Sequence, residues 1–181
     1  MSHDFSTHNV AFKTPWVVIY ERDTWYALAS PTGLNGGGAL IMDSQGQVLL
    51  VRIYRHPINR IVLEIPRGAA DPDDPDGSIG TAIREASEET GVDLSGARVI
   101  DLGIIYPDDG ILAFETRICA AILPHPFGTI RIEEAEVLGF QIVSFDALKD
   151  MILNGEVNDS HTIVATFRLD AVLRKAGTEA P

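Results

Sequence analysis

Cysteine is all but missing from this chain of 181 residues: Cys119, within the apolar run ICAAIL, stands alone. A single thiol makes no internal disulfide and no cysteine metal cluster, and its apolar neighbours mark it as a buried structural side chain. Long apolar runs are missing too, since nothing approaches the roughly 18 residues of a membrane span. The amino terminus MSHDFSTHNVAFK has no signal-peptide core, so a soluble, cytoplasmic protein is expected. Cations are scarce: 14 Lys and Arg against 26 Asp and Glu leave a net charge of -12 and a pI near 4.7. Such a field repels nucleic acid and anionic membrane, so neither is expected as a partner, and an anionic substrate needs cations beside it. The five histidines show no paired metal spacing, and the glycines at 36–38 lack the Lys-Ser/Thr of a phosphate loop. The triple glycine is left to a turn or the start of a strand.

What is present suits one globular domain with a small addition, because 45% hydrophobic content over this length buries a substantial core. The runs PWVVIYERD and TWYALAS predict a hairpin over Trp16 to Ser30, so residues 1–35 are expected to be a tail plus β-hairpin element and residues 36–181 the main domain. The first dozen residues and the tail KAGTEAP are expected to fray. Strands are expected at ALIMD, QVLLVRIYR, IVLEIP, ARVIDLGIIY, LAFETRICAAIL and VLGFQIVS, with helices at Phe145 to Leu153 and His161 to Lys175. In the last helix Asn158, Asp159 or Ser160 is the expected cap, and Ile163, Phe167 and Ala171 recur at helical spacing for burial. A mixed sheet flanked by helices follows, an α/β or α+β layer fold.

Chemistry concentrates in TAIREASEETGV. Glu85, Glu88 and Glu89 stand at i, i+3 and i+4 and project from one helical face, where like charges repel by a few tenths of a kcal/mol per pair, roughly 0.2–0.5. Carboxylates one turn apart can converge on a hard divalent cation. A solvated acidic face with Arg84 paired to Glu88 accounts for the same spacing. Gly91 has the placement of a glycine just past a helix end. The loop DPDDPDG before the helix has proline at the fifth ligand position of a calcium loop, so it is assigned to loop and capping.

Gly68 followed by Arg84-Glu85-Ala86-Ser87-Glu88-Glu89-Thr90-Gly91-Val92 resembles the Nudix hydrolase box, G-x5-E-x7-R-E-U-x-E-E-x-G-U with U apolar. The second half matches at every fixed position. In the first half two extra residues separate Gly68 from Arg84, and Asp76 stands where the family has glutamate. The resemblance implies an α/β/α sandwich whose Glu85, Glu88 and Glu89 bind Mg²⁺ or Mn²⁺, joined by a main-chain carbonyl at Arg67 or Gly68. It implies that Arg84 orients the glutamates, that Glu88 and Glu89 take part in catalysis, and that the substrate is a nucleoside diphosphate derivative.

Between Trp16 and Ala171 the chain looks most like the ADP-ribose pyrophosphatase branch. Tyr54-Arg55 before a proline resembles its Q-Y-R-x-P run and LEIPRG its E-L-P-A-G, implying substrate contacts from Arg55 and Arg67. Glu64 is the weaker candidate, as a charged residue alternating out of a strand needs no special reason. RIEEAEVLGFQIVSFDAL resembles the branch's mobile acidic loop, which implies a metal contact or a general base at Glu134 or Glu136. GEVNDSHTIVATFRL resembles its closing segment, and the early hairpin resembles an element that the branch exchanges between subunits, implying a homodimer. Tyr106-Pro107-Asp108-Asp109-Gly110 departs from the branch's Ser-Pro-Gly, which leaves another nucleotide sugar or a dinucleotide open as substrate. A catalytically silent nucleotide-binding sensor is the alternative from another class.

Overall fold

The structure, a computed structural model, describes residues 4–31, 35–71, 78–132 and 134–177. Strands β1 (Asn9–Lys13), β2 (Val18–Arg22) and β3 (Trp25–Ala29) form a small antiparallel sheet. The predicted hairpin is β2 and β3. The first dozen residues, expected to fray, also supply β1: NVAFK is exposed along its length, so its order comes from backbone pairing with β2 rather than from a buried face.

The main sheet has seven strands: β4 (Gly36–Met42), β5 (Gln47–Arg55), β6 (Arg60–Glu64), β7 (Arg67–Ala69), β8 (Arg98–Ile105), β9 (Thr116–Ile122) and β10 (Val137–Ser144). Its order is β10-β5-β4-β9-β8, with β6 on β5 and β7 on β4. The β4–β9 pair is parallel and the other pairs are antiparallel, so the sheet is mixed.

Alternation along the central strands sends side chains to both faces. Ala39, Ile41, Cys119 and Ala121 pack against Ala82 and Ala86 of α1 (Ser78–Thr90). Leu40, Met42, Ile118 and Ala120 pack on the other face against Phe145 and Leu148 of α2 (Phe145–Leu153) and Leu169 of α3 (Ser160–Lys175). Both faces are covered, which is why the central strands read as continuous apolar runs. The result is the predicted α/β/α sandwich. Cys119 is buried, and burial, followed by the charge of Asp101, pushes its thiol up to about 12.

Three expectations need correction. The buried face of α3 carries His161, Thr162, Ala165, Thr166, Leu169 and Leu173, while Phe167 and Ala171 are exposed and Ile163 is half-buried. Threonine hides a hydroxyl there by bonding within the helix, as Thr166 Oγ1 does to the Thr162 carbonyl at 2.8 Å, so the inward stripe is not apolar enough for periodicity to find. Glu64 does not alternate into solvent: it is fully buried, between Arg55 and Arg67. The strand expected from Leu112 begins at Thr116. Residues before it turn to β3, where the Leu28 amide donates to Ile111 and the Ala113 amide to Leu28, each at 2.8 Å. That stitch joins the small sheet to the main one beside a cleft.

Candidate active site

The helix α1 stops at Gly91, whose amide donates to the Ser87 carbonyl at 2.8 Å and whose φ of 65° is the left-handed value that favours glycine. A Cβ at Gly91 would overlap the Arg131 carbonyl oxygen. The acidic loop ahead of β10 therefore lies against the end of α1. Of the loop DPDDPDG at 71–77, residues 72–77, Asp76 among them, fall outside the described residues, so the expected cap there is not placed.

Along α1 the three glutamates separate by environment. Glu88 is about half exposed and bonds Arg84, whose Nη1 lies 2.8 Å from Glu88 Oε2 and 3.0 Å from Glu85 Oε1. The Arg84 Nη2 group donates to the Ala69 carbonyl at 3.1 Å, which ties α1 to β7. Glu85 is mostly covered by Gly68, where a Cβ would overlap the Glu85 carboxyl. Glu89 is only 9% exposed, and its Oε2 is buried with no hydrogen-bond partner among the described residues. Its carboxyl is pushed up to about 8 by burial first, then by the charges of Glu85 and Glu64; Arg55 and a hydrogen bond from the Arg67 backbone pull the other way.

These side chains meet a cleft of about 730 Å³. Glu85, Glu89, Gly68, Arg55 and Arg67 line it from one side and Glu134 and Glu136 from the acidic loop. Arg84 and Glu88 stand beside the cleft on α1 rather than in its lining. Trp16, Leu28 and Phe114 add an apolar wall drawn partly from the small sheet, and Thr116 and His161 a polar one. Arg55 carries two bonds to Glu64, one from Nε at 3.0 Å to Oε2 and the other from Nη2 to Oε1. Arg67 is held more loosely: Nε lies 3.5 Å from Glu64 and Nη2 3.4 Å from Asp159. Both guanidiniums thus face the cleft at a buried anionic backing, a geometry suited to phosphate oxygens.

His161, Thr116, Asp159 and Trp16 went unmarked as site residues in the sequence. Thr116 offers no signal, and His161 has only its place in the closing segment, because they reach the cleft from β9 and α3, 45 residues apart, with His161 Nε2 3.3 Å from Thr116 Oγ1. Asp159 was marked only as a cap. It lies in the segment that resembles a family motif, and that was the available clue.

Among the described residues no three His, Cys, Asp or Glu side chains already converge at metal-binding distance, and Arg84 Nη1 lies against both Glu85 and Glu88. Two features nonetheless fit a hard divalent cation. The buried Glu89 Oε2, without a hydrogen-bond partner among the described residues, calls for a positive partner, and the Glu85 carboxyl fills the space that a side chain at Gly68 would take, which sets it against the β7 backbone.

The α/β/α sandwich thus sets an acidic helix against a glycine-bearing strand, with two arginines in the lining of the same cleft. A family model described as NUDIX domain matches residues 35–165, and the chain belongs to the Nudix family. It is 36% identical over 78 residues to Nudix hydrolase 14, chloroplastic, of Arabidopsis thaliana, across 41% of this chain and 25% of that protein. The match thus spans about a quarter of that relative's length. Among the described residues no helix is long and apolar enough to cross a membrane.

Proposed function

We propose that this protein is a Mg²⁺- or Mn²⁺-dependent hydrolase of the diphosphate linkage in a nucleoside diphosphate derivative, with ADP-ribose, split to AMP and ribose 5-phosphate, as the leading substrate. The observation that carries it is the shared cleft: Glu85 and Glu89 open into the same space as Arg55, Arg67, Glu134 and Glu136. Glu85, Glu89 and a carbonyl of Arg67 or Gly68 would hold the cation, with Glu88 joining once it leaves Arg84. A bound divalent cation supplies positive charge against the diphosphate oxygens, which lets an acidic protein accept an anionic substrate. Arg55 and Arg67 bind those oxygens. Glu134 or Glu136, exposed on the acidic loop, takes the proton of the attacking water. Arg84 keeps the helix carboxylates aligned and anchored to β7.

A substrate panel tests this: ADP-ribose, other nucleoside diphosphate sugars and dinucleotides, with kcat/KM measured for each in Mg²⁺. The highest value for ADP-ribose is expected. Pro107 of the departing Tyr106-Pro107-Asp108 segment lines the cleft, so a different nucleotide sugar in first place would assign the preference to that segment. Nucleotide binding without turnover of any member would favour the sensor reading.

Metal binding should be linked to protons. Glu89 holds a proton in the metal-free fold up to about pH 8, and a cation must displace it. The sign follows: a carboxyl whose folded value lies above its unfolded one stabilises the fold below pH 4.5 and loses that contribution as pH rises through 8. Calorimetry of Mg²⁺ binding in buffers of differing ionisation heat should show about one proton released per ion at pH 7 and close to none at pH 9. Equal release at both would mean that Glu89 is not a ligand.

We also propose a homodimer through the small sheet, where Val10, Phe12, Trp25 and Tyr26 are exposed and Trp16 is 87% exposed. A monomeric mass by light scattering would contradict it.

A further inference from the structure

The closing segment GEVNDSHTIVATFRL has no task in the metal site as described, yet its start reaches the cleft wall. The Ile65 amide donates to Thr162 Oγ1 at 2.9 Å. A hydroxyl has one hydrogen, and Thr162 spends it on Asp159 Oδ2 at 2.8 Å, so the relay runs in one direction. The same carboxylate oxygen accepts the Thr162 amide at 2.9 Å. The other oxygen, Oδ1, faces Arg67 Nη2 at 3.4 Å and His161 Nδ1 at 3.5 Å. Thr162 is fully buried and the Asp159 side chain nearly so. Although burial alone would raise the Asp159 carboxyl, His161, Arg67 and the Thr162 amide hold it well below the usual carboxylate range, so it is charged at neutral pH.

What these two residues hold matters more than the cap itself. Ile65 and Pro66 make the turn from β6 into β7, where the Arg67 backbone bonds Glu89 and Gly68 packs on Glu85. Thr162 thus pins the backbone beneath the metal-facing glutamates from a position 97 residues further along the chain. Asp159 pins the guanidinium of Arg67.

We propose that Thr162 and Asp159 are positioning residues of the hydrolytic site with separable tasks: Thr162 fixes the turn that faces the cation, and Asp159 fixes the Arg67 guanidinium that faces the diphosphate. This rests on the metal-dependent hydrolase reading above. Thr162→Val keeps the shape and deletes the hydroxyl, leaving the Ile65 amide without its acceptor. Asp159→Asn keeps an acceptor for Thr162 but turns an amide donor toward Arg67, which has only donors to offer.

Two readouts separate the tasks: Mn²⁺ affinity from the electron paramagnetic resonance of free Mn²⁺, and KM at saturating metal. Thr162→Val should weaken Mn²⁺ binding by about 10-fold, the lower end for partners that orient metal ligands, with KM little changed. Asp159→Asn should raise KM by about 10-fold and leave Mn²⁺ affinity within about twofold. Thr162→Ser, which retains the hydroxyl, should restore wild-type Mn²⁺ affinity. Variants that only melt earlier, or that move Mn²⁺ affinity and KM together, overturn the proposal, as does a Thr162→Ser variant as weak as Thr162→Val. Should Thr162→Val not fold, the split in Asp159→Asn decides. Wild-type protein without turnover would refute hydrolysis alone, since Mn²⁺ affinity and the binding of a methylene-bridged diphosphate analogue still read both tasks.

Discussion

Glu89→Gln should abolish metal-dependent turnover, lowering kcat by at least about 10²-fold, the scale on which one preorganised electrostatic partner acts. Glutamine has the size of glutamate and no charge, so the lost property is the ability to balance a cation. The metal-free variant should at the same time become more stable than wild type above pH 8. In the wild type, burial and the charges of Glu85 and Glu64 oppose ionisation of Glu89, and its Oε2 has no hydrogen-bond partner among the described residues. A carboxyl displaced from 4.5 to about 8 corresponds to destabilisation on the order of a few kcal/mol once it ionises. Thermal melts of both proteins with a chelator at pH 5 and pH 9, alongside kcat in Mg²⁺, measure the two halves. Less activity with more stability at alkaline pH is the signature of a residue kept for function; loss of both would make Glu89 a structural member of α1.

Gly68→Ala comes next in size. Its Cβ would overlap the Glu85 carboxyl, which is the far end of a flexible side chain, so the fold can survive by swinging Glu85 away. The expelled carboxylate then stays with Arg84, already 3.0 Å distant, and the cation proposed above would lose Glu85, one of the two α1 carboxylates in the cleft lining. Mn²⁺ affinity should fall by at least about 10-fold while the melting temperature in chelator changes little. Unchanged affinity would show that Glu85 contributes nothing to cation binding.

Legibility in the sequence tracked how local each feature is. Helix α2 and strand β10 lie where their patterns placed them, because Ser144 caps α2 through the Ala147 amide at 3.1 Å and the apolar rhythm changes at that residue. The Glu85, Glu88 and Glu89 face was readable because one helix sets their spacing. The i, i+4 spacing also shows the Arg84–Glu88 pair; that Glu85 and Glu89 would line a cleft was not readable, since this depends on β7 approaching α1. Glu64 shows the limit most clearly. A charged residue at the end of a strand looks solvated until Arg55, nine residues away, and Arg67, three away, are known to close on it. The α3 face misled for a related reason: Thr162 and Thr166 are buried with their hydroxyls satisfied, which no hydrophobic pattern records. The apolar wall of the cleft was hidden because Trp16 comes from the β1–β2 connection and Leu28 from β3, and the backbone stitch between Leu28 and residues 111–113 brings the small sheet alongside.

The most direct test of a cation-dependent diphosphate hydrolase is phosphorus NMR of wild-type protein with ADP-ribose and the nucleotide sugar and dinucleotide panel, first in chelator and then with Mg²⁺ added to the same tube. Diphosphate resonances that persist in chelator and convert to phosphate monoester resonances on Mg²⁺ addition are expected. Conversion in chelator at the same rate, or intact diphosphate in every sample after Mg²⁺, would contradict it.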